Sequence, residues 1–150
     1  KGEICYYPSL NNKIDTLLAS MMLTSFNYFD ENFNARIKIS NYYFENLRDY
    51  VKCPVVNNDK DIHCTFFDYT IITADRDNLK YFLEEKGIET KIKHSVLMNN
   101  QPAYDYLPKF DLPVADRAVN RILSLPIHEK LSQEDLEYIV QSVKEFYDRN

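Results

Sequence analysis

Glycine is the residue type in which this sequence is poorest. Only Gly2 and Gly87 occur among its 150 residues. Loops that hold phosphate through backbone amides need close backbone approach and positive φ angles, which take several glycines. The sequence therefore excludes a dinucleotide-binding motif or a P-loop. If this chain contacts a phosphate group, we expect side chains to make the contact.

Positive charge is scarce relative to negative charge. The chain has 18 Lys and Arg residues against 23 Asp and Glu, a formal net charge of −5. No run of basic residues stands out along the sequence. Because a nucleic-acid-binding face needs clustered positive charge, we do not expect nucleic acid as a partner.

Cysteine is rare and shows no pairing pattern. Cys5, Cys53 and Cys64 are odd in number and lack CxxC spacing. Their flanking residues are apolar or aromatic. This pattern favours buried or half-buried free thiols in a reducing compartment.

The three histidines also lie far apart, at His63, His94 and His128. None has a second ligand at i+3 or i+4, and a zinc site needs three or four converging ligands, so no metal site is expected. A nucleophilic Cys–His pair stays open, with Cys64 and His94 as its one arguable form. The alternative is a packed cysteine and a surface histidine.

Long apolar runs are missing as well. No stretch reaches the roughly 18 residues that a membrane-spanning helix needs. The first residues, Lys1-Gly2-Glu3, carry no signal-peptide pattern. These features predict a cytoplasmic protein with no membrane partner, and the missing initial Met suggests a chain cut from a longer one.

Apolar residues are nevertheless plentiful, at 45% of the chain, with 12 Tyr and 9 Phe. Their spacing predicts a helix over Lys13–Phe29 and a pause at Asp30–Asn32. A second helix, or a kinked continuation of the first, is predicted from Phe33 to Val51. Asn11 and Asn12 are suitable N-cap residues for the first helix. Together the two helices form a predicted arm whose apolar surface is two-sided.

The second half of the chain predicts alternating strands and helices. β-branched and aromatic residues predict a strand over Cys64–Thr73, and alternation predicts another over Ile88–His94. Helices are predicted from Asp75 to Gly87, from Pro113 with an inward stripe that includes Ile122 and Leu123, and after the cap residue Ser132. Ser124 to Pro126 is predicted as a short extended piece.

This order predicts an α+β (two-layer α/β) fold with a small, mostly antiparallel sheet covered by helices. We expect a linker over residues 1–11, a helical arm over 12–52 and a small domain over 53–150. The residues alone define no self-sufficient catalytic constellation.

The segment Leu112–Ile139 (LPVADRAVNRILSLPIHEKLSQEDLEYI) resembles the C-terminal signature of the DegT/DnrJ/StrS sugar aminotransferases. Four other stretches are similar to motifs of that family. They are Asn11–Asp15, Asp68–Ile71, Lys86–Thr90 and Gln101–Tyr104. The similarity covers nearly the whole chain and is strongest after Gly87.

The resemblance implies a fold-type-I enzyme that uses pyridoxal phosphate and acts on nucleotide-linked keto sugars, in aminosugar or cell-surface polysaccharide biosynthesis. In that family a large N-terminal domain carries the Schiff-base lysine, and a smaller C-terminal domain closes the active site and helps to form a homodimer. This chain resembles the smaller domain only. No lysine here has the Ser/Gly-rich context of the family's lysine, so the chain alone is predicted to be inactive, to contain no catalytic residue and to bind no cofactor by itself.

The resemblance also implies site residues. Asn11 matches the family's asparagine that reaches the phosphate of the partner subunit's pyridoxal phosphate, although N-capping competes for this side chain. Lys13 stands where the family has arginine, which keeps the charge and loses the bidentate fork. Lys93 and His94 stand where the family borders its substrate pocket, and we expect them to meet a phosphate or carboxylate, with a solvent-facing strand end as the alternative.

Three other functions stay open. The chain could be a free-standing, non-catalytic module for dimerisation or ligand sensing. It could belong to a dehydratase relative of the aminotransferases. A small hydrolase or metal enzyme rests only on His63, Cys64 and His94.

Overall fold

A computed structural model describes residues 4–7, 14–54 and 64–149. Its elements in chain order are the helices α1 (Thr16–Phe26) and α2 (Phe29–Leu47), strand β1 (Tyr69–Ile72), helices α3 (Arg76–Glu85) and α4 (Pro113–Val119), strand β2 (Ile122–Leu125) and helix α5 (Gln133–Asp148). Two single 3-10 turns, Met98–Asn100 and Pro102–Tyr104, precede α4. The predicted α+β class is confirmed.

The sheet is small and antiparallel. β1 and β2 pair from Tyr69 opposite Leu125 to Ile72 opposite Ile122. Single bridges extend the sheet on both sides, where Lys52 pairs with Ile72 and Lys91 pairs with Ser124. Within the described residues, the sheet therefore has two full strands and one bridging residue at each edge.

Both strands that the sequence predicted are shorter in the structure. The predicted strand over Cys64–Thr73 is reduced to β1, because the backbone of Phe66 has a φ of 44° and turns the chain out of extended conformation. In the segment Ile88–His94, which was predicted as a strand, only Lys91 forms a bridge to the sheet. The backbone of His94, at the end of this segment, has a φ of 57°. Such left-handed conformations are uncommon for residues other than glycine.

The inward stripe predicted for α4 was partly wrong. Ile122 and Leu123 belong to β2 rather than to the helix, which ends at Val119 with Asn120 as its C-cap. Pairing with β1 extends these residues, and Leu123 becomes fully buried. The extended piece predicted from Ser124 is thus the second half of a strand that begins earlier.

The core lies between the sheet and the helices α2, α3 and α5. Its fully buried side chains, all below 2% exposure, include two tyrosines and a set of aliphatic residues: Tyr43, Tyr69, Leu47, Ile71, Leu79, Leu83, Leu123 and Val143. The rings of Tyr43 and Tyr69 lie 4.9 Å apart. The Tyr43 hydroxyl donates a hydrogen bond to the carbonyl of Pro126 at 2.8 Å. The second half of α2 thus packs into the core that contains the sheet.

Helix α5 begins as its sequence predicts. Ser132 is the N-cap, and its hydroxyl oxygen accepts a hydrogen bond from the Asp135 amide at 3.1 Å. The Asp135 carboxylate in turn accepts from the Ser132 amide at 3.0 Å. This reciprocal capping box satisfies two amides that the helix geometry would leave without partners.

Helix α1 departs most from expectation. It begins at Thr16, and its N-cap is Asp15, whose carboxylate accepts from the Leu18 amide at 2.8 Å. The predicted cap residues Asn11 and Asn12 lie outside the described residues. The break between α1 and α2 falls at Asn27–Tyr28, so the predicted pause at Asp30–Asn32 lies within a helix.

The apolar side chains of α1, which the sequence predicted as part of a helical arm with a two-sided apolar surface, are exposed. Leu17, Met21, Met22 and Phe26 are between 59% and 72% exposed. None of the helices in the described part of the chain is both long and apolar enough to cross a membrane.

Candidate functional site

A concave surface lined by polar and charged side chains lies where β1 begins. A cleft of about 620 Å³ opens between the segment after α3 and the start of α5. Asp68, Lys91 and Lys93 line one side, and His128, Asp135 and Tyr138 line the other. Leu125, Ile127 and Ile139 contribute its apolar part. We name it the strand-end cleft.

Two adjacent phenylalanines shape the mouth of this cleft. Phe66 is only 3% exposed, whereas Phe67 is 74% exposed. The left-handed backbone of Phe66 sends these neighbours in different directions, and the Arg36 guanidinium donates to the Phe66 carbonyl at 3.3 Å. Phe67 therefore projects from the surface beside the cleft.

Lys93 is held at the same place by two contacts. Its ammonium forms an ion pair with Asp68. The Lys93 Nζ also lies 4.6 Å from the centroid of the Phe67 ring, within range of a cation–π interaction. Lys93 is thus a positioned cation whose counter-ion is already present.

His94 lies beside Lys93 in a second cleft of about 720 Å³, which Lys93 also borders. Cys5, Leu97, Gln101 and Tyr104 line the rest of this second cleft. The structure therefore brings both predicted substrate-contact residues to one region. Whether they contact a substrate stays a prediction.

Gln101 has a role that the sequence reasoning missed. Its side-chain oxygen accepts a hydrogen bond from the Cys5 amide at 2.7 Å, and the Ala103 amide donates to the Cys5 carbonyl at 2.8 Å. The Q-P-A-Y turn thereby fixes the chain near its beginning against the second cleft. The signal available in the sequence was a glutamine directly before a proline. Once buried, the side-chain amide of such a glutamine needs a specific hydrogen-bond partner.

The mouth of the strand-end cleft continues into an apolar surface. Phe67 also lines a groove of about 420 Å³ with Met22, Phe26, Phe29 and Phe33. The rings of Phe26 and Phe29 stack at 5.4 Å, and those of Phe29 and Phe33 stack at 5.9 Å. We call the exposed side chains of α1 together with Phe29, Phe33 and Phe67 the apolar surface. It reaches from α1 to the side chain that contacts Lys93.

The remaining candidates are placed as follows. Asn11, Lys13 and His63 lie outside the described residues. Cys64 is exposed, contrary to the expectation of a buried or half-buried thiol, because the chain there precedes the buried Phe66. No hydrogen bond joins Cys64 to His94 in the described part of the chain. Within that same part, no cluster of three His, Cys, Asp or Glu side chains is able to hold a metal ion.

Comparison with known proteins identifies the family. The model of the DegT/DnrJ/EryC1/StrS aminotransferase family matches residues 3–144. The chain belongs to this family, as the Leu112–Ile139 signature predicted. A crystal structure of a DegT DnrJ EryC1 StrS aminotransferase from Brucella abortus superposes with a TM-score of 0.83 and 31% identity, over 97% of this chain and 40% of that one.

Two curated relatives show the range of names in the family. The chain is 26% identical to a dTDP-3-amino-3,6-dideoxy-alpha-D-galactopyranose transaminase of Aneurinibacillus thermoaerophilus, over 93% of this chain and 38% of the relative. It is 31% identical to a pleiotropic regulatory protein of Geobacillus stearothermophilus, over 91% of this chain and 38% of the relative. The chain thus spans little more than a third of the length of these relatives.

The described residues at the two clefts do not fit pyridoxal phosphate as a complete site. A lysine that forms a Schiff base needs an amine available for attack, but Lys93 is paired with Asp68 and Lys91 lies 3.6 Å from Glu89. The one described glycine, Gly87, provides no phosphate-binding loop. No chemical step through that cofactor follows from these residues alone.

Proposed function

We propose that this chain is the C-terminal small domain of a pyridoxal-phosphate-dependent aminotransferase that acts on nucleotide-linked keto sugars. In this proposal residues 1–11 are a linker, 12–52 a helical arm and 53–150 the small domain. The domain closes the active site and takes part in a homodimer, and it is not catalytic alone. Family membership and the relatives' names support the aminotransferase activity.

The observation that carries the proposal is the continuity between the apolar surface and Lys93. Helix α1 has no charged residue, and its large apolar side chains cover most of its circumference. A helix that is apolar nearly all round is normally buried by surrounding protein. Because Phe67 belongs both to this surface and to the strand-end cleft, whatever covers α1 also lies next to Lys93.

The second contributor in this proposal is the N-terminal domain that the relatives' greater length accommodates. That domain supplies the lysine and most of the cofactor site, and this chain supplies Lys93 and His94 at its edge. The positive charge of Lys93 suits a substrate phosphate or an amino-donor carboxylate. Asn11 and Lys13 are proposed to reach the phosphate of a partner subunit's cofactor.

Association of this chain with the N-terminal domain tests the proposal. The region encoded upstream of Lys1 would be produced separately and mixed with the 150-residue chain, and complex formation would be followed by size-exclusion chromatography with light scattering. We expect a stable complex that M22Q/F26Q weakens at least tenfold, because both side chains lie on the apolar surface. Y81Q, at an exposed aromatic side chain of α3 that lines neither cleft nor the apolar groove, is the control and should leave the complex intact. Absence of a complex with the unaltered chain would contradict the proposal.

Activity in the assembled enzyme tests the role of the cleft. We expect K93Q to raise KM for the nucleotide sugar or the amino donor about tenfold, with a smaller effect on kcat, since a charge-assisted contact is lost. K80Q is a matched control, because Lys80 forms its own ion pair with Glu84 on α3. Equal effects of the two substitutions would argue against a substrate contact at Lys93.

The alternative is a free-standing module for dimerisation or ligand sensing, which the name of the regulatory relative favours. In that case a second copy covers the apolar surface. The alternative predicts a start codon close upstream of the Lys1 codon and a dimer of the chain that M22Q/F26Q converts to monomer. A long upstream reading frame with a lysine-bearing domain would exclude it.

A further inference from the structure

The end of the sheet opposite Lys93 carries a further polar cleft, separate from the two described above, that the proposed aminotransferase role does not use. It measures about 720 Å³ and lies where β1 ends and β2 begins. It is lined by the turn after α2, which includes Tyr50 and Val51, by α4 and by Tyr147 of α5. It shares no lining residue with the strand-end cleft, the second cleft or the apolar groove. We call it the distal cleft.

The distal cleft concentrates positive charge in an acidic chain. Four cations line it, two from the turn after α2 and two from α4 and the turn that follows it, and one carboxylate, that of Asp49, accompanies them. The cations are Arg48, Lys52, Arg117 and Arg121. Asp75 is a further carboxylate nearby, close enough to influence Tyr147. The sequence showed no basic run because folding assembles these residues from positions far apart.

The cations of the distal cleft differ from most others in their pairing. Eight of the described Lys and Arg residues form ion pairs with a described carboxylate. The four cations of the cleft are not among those eight. Arg48 lies over the Phe44 ring at 5.9 Å, and Arg121 donates to the Thr73 carbonyl at 3.4 Å, so both retain free N–H groups. A group of cations without carboxylate partners around a concave surface attracts an anion.

Aromatic residues that line the distal cleft favour an anion that also carries an apolar or ring-containing part. Tyr50 and Tyr147 have ring centroids 6.2 Å apart, and the Tyr147 hydroxyl is engaged with Thr73 at 2.5 Å. Val51 and Val114 add apolar surface to the lining of the same cleft. The volume falls in the range of small-molecule sites. Guanidinium groups match phosphate oxygens with two parallel hydrogen bonds.

We infer that the distal cleft binds a small phosphorylated molecule, with its phosphates at Arg48, Lys52, Arg117 and Arg121 and its remaining part over Tyr50 and Tyr147. Because each of the two segments contributes two cations, a molecule with at least two phosphates fits the cleft best. This site goes beyond the proposed function and does not depend on it. The cleft is concave and of small-molecule size, which favours a phosphorylated metabolite over an acidic protein segment.

Titration calorimetry of the 150-residue chain with pyrophosphate and with adenosine diphosphate tests this inference. We expect saturable binding of both compounds. Adenosine diphosphate should have the higher affinity, because its adenine ring contacts Tyr50 and Tyr147. R48Q/R117Q should weaken binding at least tenfold, since two charge-assisted contacts are lost. K38Q/K130Q is the matched control, because it removes the same charge at exposed lysines outside the cleft and should change the affinity less than twofold.

Three results would overturn the inference. The first is no saturable heat with either probe. The second is equal weakening by the two double variants, which would indicate nonspecific attraction. The third is tighter binding of a hexaglutamate peptide than of either phosphate compound, which would assign the cleft to an acidic protein segment. Circular dichroism of each variant checks that the fold is intact.

Discussion

The hydroxyl of Tyr43 ties helix α2 to the chain that follows β2. It donates to the Pro126 carbonyl at 2.8 Å from a ring with no exposed surface. Burial raises the pKa of this hydroxyl far above its ordinary value, so it stays protonated and able to donate at every pH where the protein is folded. The bond is therefore a permanent part of the core.

Replacing Tyr43 by phenylalanine should lower the free energy of unfolding by about 1–2 kcal/mol, because the Pro126 carbonyl loses its buried donor. Urea denaturation followed by circular dichroism measures the change. Tyr42→Phe is the matched control one residue away, where the ring is half-buried and makes no described hydroxyl hydrogen bond. A loss of stability at Tyr42 as large as at Tyr43 would contradict this explanation.

The cysteines should differ in reactivity. Burial raises the pKa of the Cys53 thiol, whereas Cys64 is exposed. Because the thiolate is the reactive form, iodoacetamide at pH 8 should alkylate Cys64 at least tenfold faster than Cys53. Peptide mass spectrometry over time gives both rates in one sample. Equal rates in the native protein would show that Cys53 is accessible.

At the scale of elements, the start of α5 depends on the Ser132–Asp135 box. Ser132→Ala should cost about 1 kcal/mol of stability, since the Asp135 amide loses its acceptor. Ser20→Ala, within the exposed α1, is the control and should change stability by less than about 0.5 kcal/mol. Chemical denaturation of both variants distinguishes a cap from a surface serine.

The same box predicts a pH dependence. Hydrogen bonds from the Ser132 hydroxyl and amide hold the pKa of Asp135 below its usual range. A carboxyl whose pKa is lower in the folded state stabilises the fold above its unfolded pKa of about 3.9, and this contribution is lost as the pH falls further. The stability difference between the unaltered chain and Asp135→Asn should therefore be constant from pH 5 to 8 and shrink towards pH 3. Urea midpoints at these pH values measure it, and a difference that grew in acid would have the wrong sign.

Helix α3 ends at Glu85 with Lys86 as its C-cap, and Gly87 follows with a φ of 77°. The amides of Gly87 and Ile88 donate to the Glu84 and Leu83 carbonyls, each at 2.9 Å, which is the Schellman arrangement. A Cβ added at Gly87 meets no atom within 4 Å, so only the backbone conformation penalises a side chain. Gly87→Ala should cost about 1–2 kcal/mol, and Gly87→Asn less, because asparagine tolerates this conformation. Equal costs in thermal unfolding would point to a steric cause instead.

The helix ends at Gly87 and Ser132 were predictable because their signals are local in sequence. Pro113 likewise stands at the first position of α4. The strands were harder, since their length depends on pairing between distant segments and on the turned backbone of Phe66 and His94. The candidate site was predicted in part: Lys93 and His94 followed from a family resemblance, whereas the contacts of Lys93 with Asp68 and Phe67 required the fold.

For the whole molecule, the exposed apolar surface is the feature that most constrains behaviour in solution. Periodicity predicted an apolar stripe on α1, and nothing in the described part of the chain covers that stripe. The sequence pattern shows which side chains are apolar, but it does not show which surface they pack against.

The isolated chain should consequently bind an apolar dye and self-associate as its concentration rises. We expect M22Q/F26Q to reduce both 1-anilinonaphthalene-8-sulfonate fluorescence and self-association, without lowering the free energy of unfolding by more than about 0.5 kcal/mol, since the side chains are already exposed. Leu47→Ala, in the core, is the contrasting variant and should cost about 2–5 kcal/mol. Sedimentation and urea denaturation separate the two effects. Strong destabilisation by the double variant would mean that α1 packs on this chain itself.

The left-handed backbone at Phe66 limits where residues can be inserted into or deleted from the chain without disturbing the core. Phe66 and Tyr69 are both buried, and Phe67 between them is exposed, so one residue inserted between Phe66 and Tyr69 would shift Phe67 relative to both core positions. Phe67 would leave the junction between the apolar surface and Lys93, even though no residue had been substituted. The three-residue spacing from Phe66 to Tyr69 is therefore the part of this region where an insertion or deletion should be least tolerated.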